Sequence, residues 1–301
     1  MLCDFNDFPP HRGVLSVPFF FDGEFLQAAP RCCLSLESVG SMRFRWTEEN
    51  SNRKNFFAQQ GITEPVRPSE FSEKLCPGSL YPDFPLSGKK ETEGKYAVPL
   101  ELIHSQVVYA LKEDDRGKPA LLAKNQAEHP LAVDLLRGDG VITTCERFVP
   151  VVTVADCVPI YLFDTKTNCF GVVHSGWKGT GIAAEAITLA EKVYGSKPAD
   201  FAVVLGPHIH ACCYTVEAER ARYFIQNFGA DCIERGNRLS LAEANVISLT
   251  KIGVLKENIL HINECTCCNP LLGSFRRQAA ELNLPLQEKT KHFTAMAAYI
   301  L

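Results

Sequence analysis

The run "TVADCVPIYLFDTKTNCFGVVHSGWKGTG", residues 153–181, decides how this chain is read. Two apolar stretches rich in β-branched and aromatic residues, "VPIYLFD" (158–164) and "CFGVVHS" (169–175), flank the polar turn text "TKTN", which predicts a hairpin. Antiparallel pairing would set Cys157, just before the first strand, beside His174 near the end of the second. Such a pair has three readings: a thiolate with its general base, two ligands of one ion such as zinc, or a buried thiol with a structural imidazole. The residues alone leave all three open. Asp156 faces away from Cys157 in extended backbone, so it is expected to fix the turn or orient a partner. Next, "GWKGTG" (176–181) leads into a helix. Amides at that helix start, with Lys178, could hold an anion such as phosphate, although the order of residues is not that of a P-loop. A turn that simply needs glycine is the other reading.

Working outward, "FVPVVTVA" (148–155), "FAVVLGP" (201–207) and "ILHIN" (259–263) predict further strands. Helices are expected over "TGIAAEAITLAEKVYG" (180–195), with Ala183, Ile187, Ala190 and Tyr194 on one face, over "VEAERARYFIQNFG" (216–229) and over "SLAEANVISLTKIG" (240–253). Another is expected over "TEENSNRKNFFAQQG" (47–61), capped by Thr47 and ended by Gly61. Continuous rather than alternating apolar runs predict a sheet covered on both faces, hence an α/β fold. Residues 65–94 are proline-rich with little periodicity and read as an insertion, a lid in our reading, within one domain spanning 1–301.

With 46% hydrophobic and 22% charged residues, the 301-residue chain can bury an ordinary core. A net charge of -4 gives no basic footprint for nucleic acid or an anionic membrane. No apolar run approaches the length of a membrane span, and no leader pattern is present, so a cytoplasmic protein is expected. The 13 cysteines, odd in number and partly adjacent, do not form a disulfide framework and read mostly as free thiols in the core.

Three further pieces carry polar chemistry. His104 in "LIHSQV" could supply a third ligand, although taken alone it reads as a solvated imidazole at a strand end. "CTCC" (265–268) lacks a second cysteine pair at zinc-ribbon spacing, so a structural zinc site there is not expected. Arg276 and Arg277 suit a carboxylate or phosphate contact.

"ADCVPI", "HSGWKGTG", "GPHIHACCYTV" and "CTCC…SFRR", in this order, resemble the laccase-domain polyphenol oxidase family, largely described as purine nucleoside phosphorylases. "GDGVIT" (138–143) and "LELIHSQVV" (100–108) resemble two further family segments, so the likeness runs from about residue 100 to 278. The resemblance implies a sandwich of mixed β-sheets with flanking helices, similar to the cysteine-hydrolase-like fold of deamidating toxins. It implies that His104, Cys157 and His174 form the metal-binding and catalytic trio, with Asp156 beside them. The cofactor so implied is zinc, with copper as the lesser alternative, and the partners are a nucleoside and phosphate. The implied reaction is phosphorolysis of adenosine, inosine or guanosine, with adenosine deamination as a second activity, in a monomer without nucleic-acid or membrane partners. Lys178, Arg276 and Arg277 are the cations offered to phosphate. Metal-free hydrolysis or deamidation by Cys157 and His174, and nucleoside binding without turnover, are the alternatives. Multicopper oxidation is disfavoured, because 8 histidines with a single His-x-His pair, His208 and His210, do not suffice for a trinuclear cluster. The N-terminal third departs from the family pattern. "FFFDGEF" lacks the expected arginine and Glu37 replaces an asparagine; beyond that third, Thr215 replaces a glutamate and no arginine stands near Thr294. These departures imply altered specificity or lost activity.

Overall fold

A computed structural model describes residues 1–46, 48–65, 94–115, 117, 119–129 and 137–301. The predicted insertion therefore lies, but for its two ends, outside the described residues, as does Thr47.

The quoted run forms the predicted hairpin. Strands Val158–Asp164 and Phe170–Ser175 pair antiparallel, with Val158 opposite Ser175 and Pro159 opposite His174. This hairpin is the middle of an eight-stranded mixed sheet. Its spatial order is Leu2–Cys3, Ile259–Ile262, Phe201–Leu205, the two hairpin strands, Gly140–Thr143, Val108–Glu113 and Pro119–Lys124. Every residue of the hairpin strands is buried, which accounts for their unbroken apolar text.

What covers the two faces differs. On one face, Ile160, Leu162 and Val173 pack against Ala183, Ala186 and Ala190 of helix Ile182–Tyr194 and against helices Ala218–Phe228 and Leu241–Lys251. On the other, Tyr161, Phe163 and Val172 meet Leu15, Val17, Val152, Met296 and Ala298 of a second, six-stranded sheet. The "FVPVVTVA" strand, Phe148–Val154, belongs to that second sheet, between Met296–Ile300 and Lys95–Pro99. A Tyr161 hydroxyl donates to the Cys33 carbonyl and so ties one sheet to the other.

The chain must therefore cross between sheets at Ala155–Cys157, and the crossing is sharp: Asp156 has φ +90°. A non-glycine residue held there costs roughly 1–3 kcal/mol, which surrounding contacts must offset. The predicted N-terminal helix is Ser51–Gln59, and its cap is Asn50 rather than Thr47. The Asn50 side chain accepts from Arg53 N while donating to the Ser41 and Arg43 carbonyls, so it satisfies one helix-start amide and fastens the preceding loop. No helix among the described residues is long and apolar enough to cross a membrane.

Candidate active site and metal centre

Strand register gathers the polar chemistry at one end of the eight-stranded sheet. Val108, Gly140, Val173, Ile160, Leu205 and His261 lie in one row across six strands. His104, Asp139, His174 and Cys157 all fall just beyond this row, as do the loops starting at Gly206 and Asn263.

His104, Cys157 and His174 converge there. One ligand atom from each lies within 4.8 Å of the others, and the two imidazoles meet edge-to-face at 5.0 Å between centroids. His174 is buried, Cys157 half-buried and His104 open to solvent, so the group has a protein side and a solvent side. His104 adopts φ +57°, a left-handed conformation uncommon for a histidine.

Asp139 holds the arrangement together and is a residue the sequence reading did not single out. Its buried carboxylate accepts the His174 Nδ1–H at 2.9 Å, the His104 amide at 3.0 Å, and both the amide and hydroxyl of Ser105 at 2.7 Å. Burial alone would raise its pKa, but the hydrogen bonds from His174 and Ser105 hold it below the ordinary 3.8. Burial disfavours a charged His174; the Cys157 sulfur and Asp139 outweigh it and push the ring up to about 10. His104 keeps an exposed edge, yet the packing around its ring desolvates it and, with the facing His174, pushes its pKa the other way. With Nδ1 committed to Asp139, His174 presents Nε2 to Cys157 and to any bound ion, the usual arrangement of a carboxylate behind a ligating histidine. Two nitrogens and one sulfur, His174 from a strand and His104 and Cys157 from the segments leading into two others, with one side open, fit an ion that keeps a coordination position free for substrate.

Asp156 stands beside this group on backbone that is not extended, with φ +90°, and its carboxylate is engaged by another loop. Its carboxylate accepts from the Thr266 hydroxyl at 2.7 Å and from the Arg276 amide at 2.6 Å, which fixes the sheet crossing to the 265–276 loop. The turn after His174 closes tightly: a Cβ at Gly176 would lie 2.9 Å from Cys157 Sγ. At the start of the following helix, the amides of Gly179, Gly181 and Ile182 donate to the Gly176 carbonyl, Asn245 Oδ1 and the Gly179 carbonyl. Those three amides are engaged within the protein, and Lys178 is exposed on the same turn. Around the same turn, Arg220 lies over the Trp177 ring at 4.3 Å and Arg276 faces the Tyr214 ring at 5.7 Å. Arg220, too, escaped the sequence reading, because a helical arginine carries no signal of its own. Arg277 differs from its neighbour. Its guanidinium donates to the carbonyls of Thr266, Cys267, Asn269 and Leu272, so it clamps a loop.

Two more ligand-like groups lie near this sheet end: Cys212, Cys213, Cys265 and Cys268, and the trio His208, His210 and His261. Burial lowers the pKa of each of the three histidines.

Comparison with known proteins agrees with this architecture. The structure superposes on YlmD from Geobacillus stearothermophilus with a TM-score of 0.68 over 99% of this chain and 98% of that one, at 21% identity. For the Bacillus licheniformis protein YfiH the TM-score is 0.62, with 90% and 92% covered, again at 21% identity. In sequence, the chain is 35% identical over 140 residues to human purine nucleoside phosphorylase LACC1, covering 43% of this chain and 32% of that protein. It is 33% identical over 183 residues to purine nucleoside phosphorylase YlmD of Bacillus subtilis, covering 58% and 63%. The matched part thus spans from about a third to under two thirds of these relatives. The profile of the family described as "Multi-copper polyphenol oxidoreductase laccase" matches residues 88–282, which include every residue of the trio and Asp139. The chain belongs to that family, among relatives that carry the name purine nucleoside phosphorylase.

Proposed function

We propose that this protein is a zinc-dependent purine nucleoside phosphorylase, with adenosine deamination as a second activity of the same centre. The observation that carries the reading is the convergence of His104, Cys157 and His174 on one open-sided site, buttressed by Asp139. In phosphorolysis the bond from ribose C1′ to the purine nitrogen breaks, a phosphate oxygen bonds to C1′, and the base leaves with a proton. In deamination, water replaces the purine amino group and ammonia leaves. Zinc held by the trio would supply Lewis acidity. The protein's own groups do the rest: Asp139 fixes the His174 tautomer, Lys178 and Arg276 offer charge to phosphate, and Trp177, 37% exposed, offers an aromatic face to a base. Arg220 is added to the phosphate candidates, whereas Arg277 is assigned to holding the loop. Multicopper oxidation is the poorer fit, because a trinuclear cluster needs several paired histidines and this chain has 8 histidines in all, with a single His-x-His pair; a single copper ion at the trio stays the lesser alternative to zinc.

One observation favours a second reading. Asp139, His174 and Cys157 stand in line as orienter, base and nucleophile, the arrangement of metal-free cysteine hydrolysis or deamidation. The expected likeness to deamidating toxins would support it and rests on the sequence alone.

The deciding experiment is chromatography of adenosine and inosine incubated with the protein, with and without phosphate, beside Cys157→Ala. Phosphate-dependent free base that disappears in the variant is the expected result. Turnover that survives complete chelation and is abolished by alkylating Cys157 would replace the zinc reading with the hydrolase one. Nucleoside bound but never converted would leave only the binding alternative.

A further inference from the structure

The cysteines of "CTCC" have no partner pair at ribbon spacing along the sequence. The fold supplies one from elsewhere. Strands Phe201–Leu205 and Ile259–Ile262 run parallel and adjacent, so the loops after both strands leave the same end of the sheet. His208 and Cys265 bridge those loops, the His208 amide donating to the Glu264 carbonyl and the Thr266 amide to the His208 carbonyl. This brings Cys212–Cys213 onto Cys265 and Cys268.

Three of the four sulfurs already stand at the spacing of a metal tetrahedron. The Sγ–Sγ separations are 3.7 Å for Cys212–Cys213, 3.8 Å for Cys212–Cys268 and 3.4 Å for Cys213–Cys268. A zinc–sulfur bond of about 2.3 Å implies tetrahedral edges of about 3.8 Å. The fourth sulfur, buried Cys265, lies within 4.8 Å of the others and accepts the His210 amide at 3.4 Å. Cys265 and Cys268 form a Cys-x-x-Cys turn closed by the Cys268 amide on the Cys265 carbonyl at 3.1 Å. Arg277 clamps this turn from behind through the Thr266 and Cys267 carbonyls, fixing the loop before any ion arrives. Cys212 and Cys268 reach the surface, which leaves a path for entry.

We propose that Cys212, Cys213, Cys265 and Cys268 form a second, structural zinc site, separate from the trio and closed by four thiolates. All four positions are filled by protein, so the site has no room for substrate and its role is to fasten two loops. The consequence reaches the active site: Thr266, inside the clamped turn, is the residue whose hydroxyl holds Asp156 at the sheet crossing beside Cys157.

The test is zinc content by elemental mass spectrometry, on the full chain purified under reducing conditions. Cys212→Ser/Cys268→Ser is expected to lose one equivalent that Cys157→Ser retains, and Cys157→Ser the equivalent that the double variant retains. A failure of the phosphorylase reading would leave this subtraction untouched. Equal zinc in wild type and the double variant overturns the proposal. Should the double variant not fold, wild-type protein decides by cobalt(II) exchange and by alkylation mapping. Intense sulfur-to-cobalt charge-transfer absorption, with Cys212 and Cys268 protected from iodoacetamide until the metal is chelated, is the expected result. Absorption no stronger than one thiolate gives, or equal labelling of both cysteines with and without zinc, overturns it.

Discussion

The Asp139 carboxylate accepts the His174 Nδ1–H at 2.9 Å while the same oxygen takes the His104 amide at 3.0 Å. One buried acid therefore sets both histidines of the trio, one through its ring and one through its backbone. Asp139→Asn keeps the volume but replaces one carboxylate oxygen by a donor, which faces donors in turn. Zinc affinity is expected to fall roughly 10–100-fold, in line with loss of a supporting carboxylate behind a metal ligand. Competition against a chromophoric chelator measures this; unchanged affinity would mean that Asp139 only packs.

Gly176 lets the chain turn directly over the Cys157 sulfur, with an added Cβ only 2.9 Å away. Gly176→Ala removes no functional group, yet it must push the thiol or the turn aside. Turnover should fall on the order of 10²-fold, the usual effect of a misplacement near 1 Å, while circular dichroism stays that of wild type. Retained turnover would show that Cys157 tolerates displacement and is not a positioned ligand.

Alkaline pH should unfold the protein steeply. Burial raises Tyr161 well above its ordinary 10.0 and pushes Cys33 from 9.0 up to about 11. Groups with a raised folded pKa contribute fully below their unfolded pKa, and the contribution is lost as pH climbs from there towards the folded value. Each such group removes about 1.4 kcal/mol per pH unit over that interval. The melting temperature is thus expected to hold up to about pH 9, where the first unfolded-state thiols ionise, and to drop beyond pH 10 as Tyr161 adds to them. Tyr161→Phe should flatten the drop above pH 10 and lower stability at neutral pH by about 1 kcal/mol through the lost bond to Cys33. A melting temperature flat to pH 11 would show that these side chains ionise in place.

Local text settled the hairpin, because two buried strands joined by a short polar turn leave little choice of partner or register. That is why Cys157 and His174 could be paired from the sequence. Asp139 could not be found this way. In "GDGVIT" it reads as a turn acid, and its partners depend on Gly140 pairing with both Val108 and Val173, contacts distant along the chain. The second cysteine pair was hidden for the same reason: parallel neighbours leave no local signature, and Cys212–Cys213 meets "CTCC" only through the adjacency of Phe201–Leu205 and Ile259–Ile262. The coverage of both sheet faces was legible in the apolar text, and a sandwich of sheets followed from the family resemblance, but which strands make the second sheet was not legible. The strand Phe148–Val154 has the same apolar text as its neighbours, and only the turn at Asp156 sends it to the other layer.

Arg276, Arg277 and Lys178 were equal candidates for phosphate on sequence grounds, and their surroundings now separate them. The Arg277 fork is filled by four backbone carbonyls of one loop. Arg277→Ala would leave those acceptors without their charged donor, and charge-assisted bonds of this kind contribute roughly 1.5–3 kcal/mol each before overlap. A loss of about 3 kcal/mol in unfolding free energy is expected, with a lower midpoint in urea. Lys178 is exposed on the turn next to His174, so Lys178→Ala should leave the urea midpoint unchanged and raise the KM for phosphate several-fold at low ionic strength. High salt should shrink that difference, because an exposed charge acts through screened attraction. The opposite outcome, a phosphate defect in Arg277→Ala without loss of stability, would move the phosphate site onto the clamped loop.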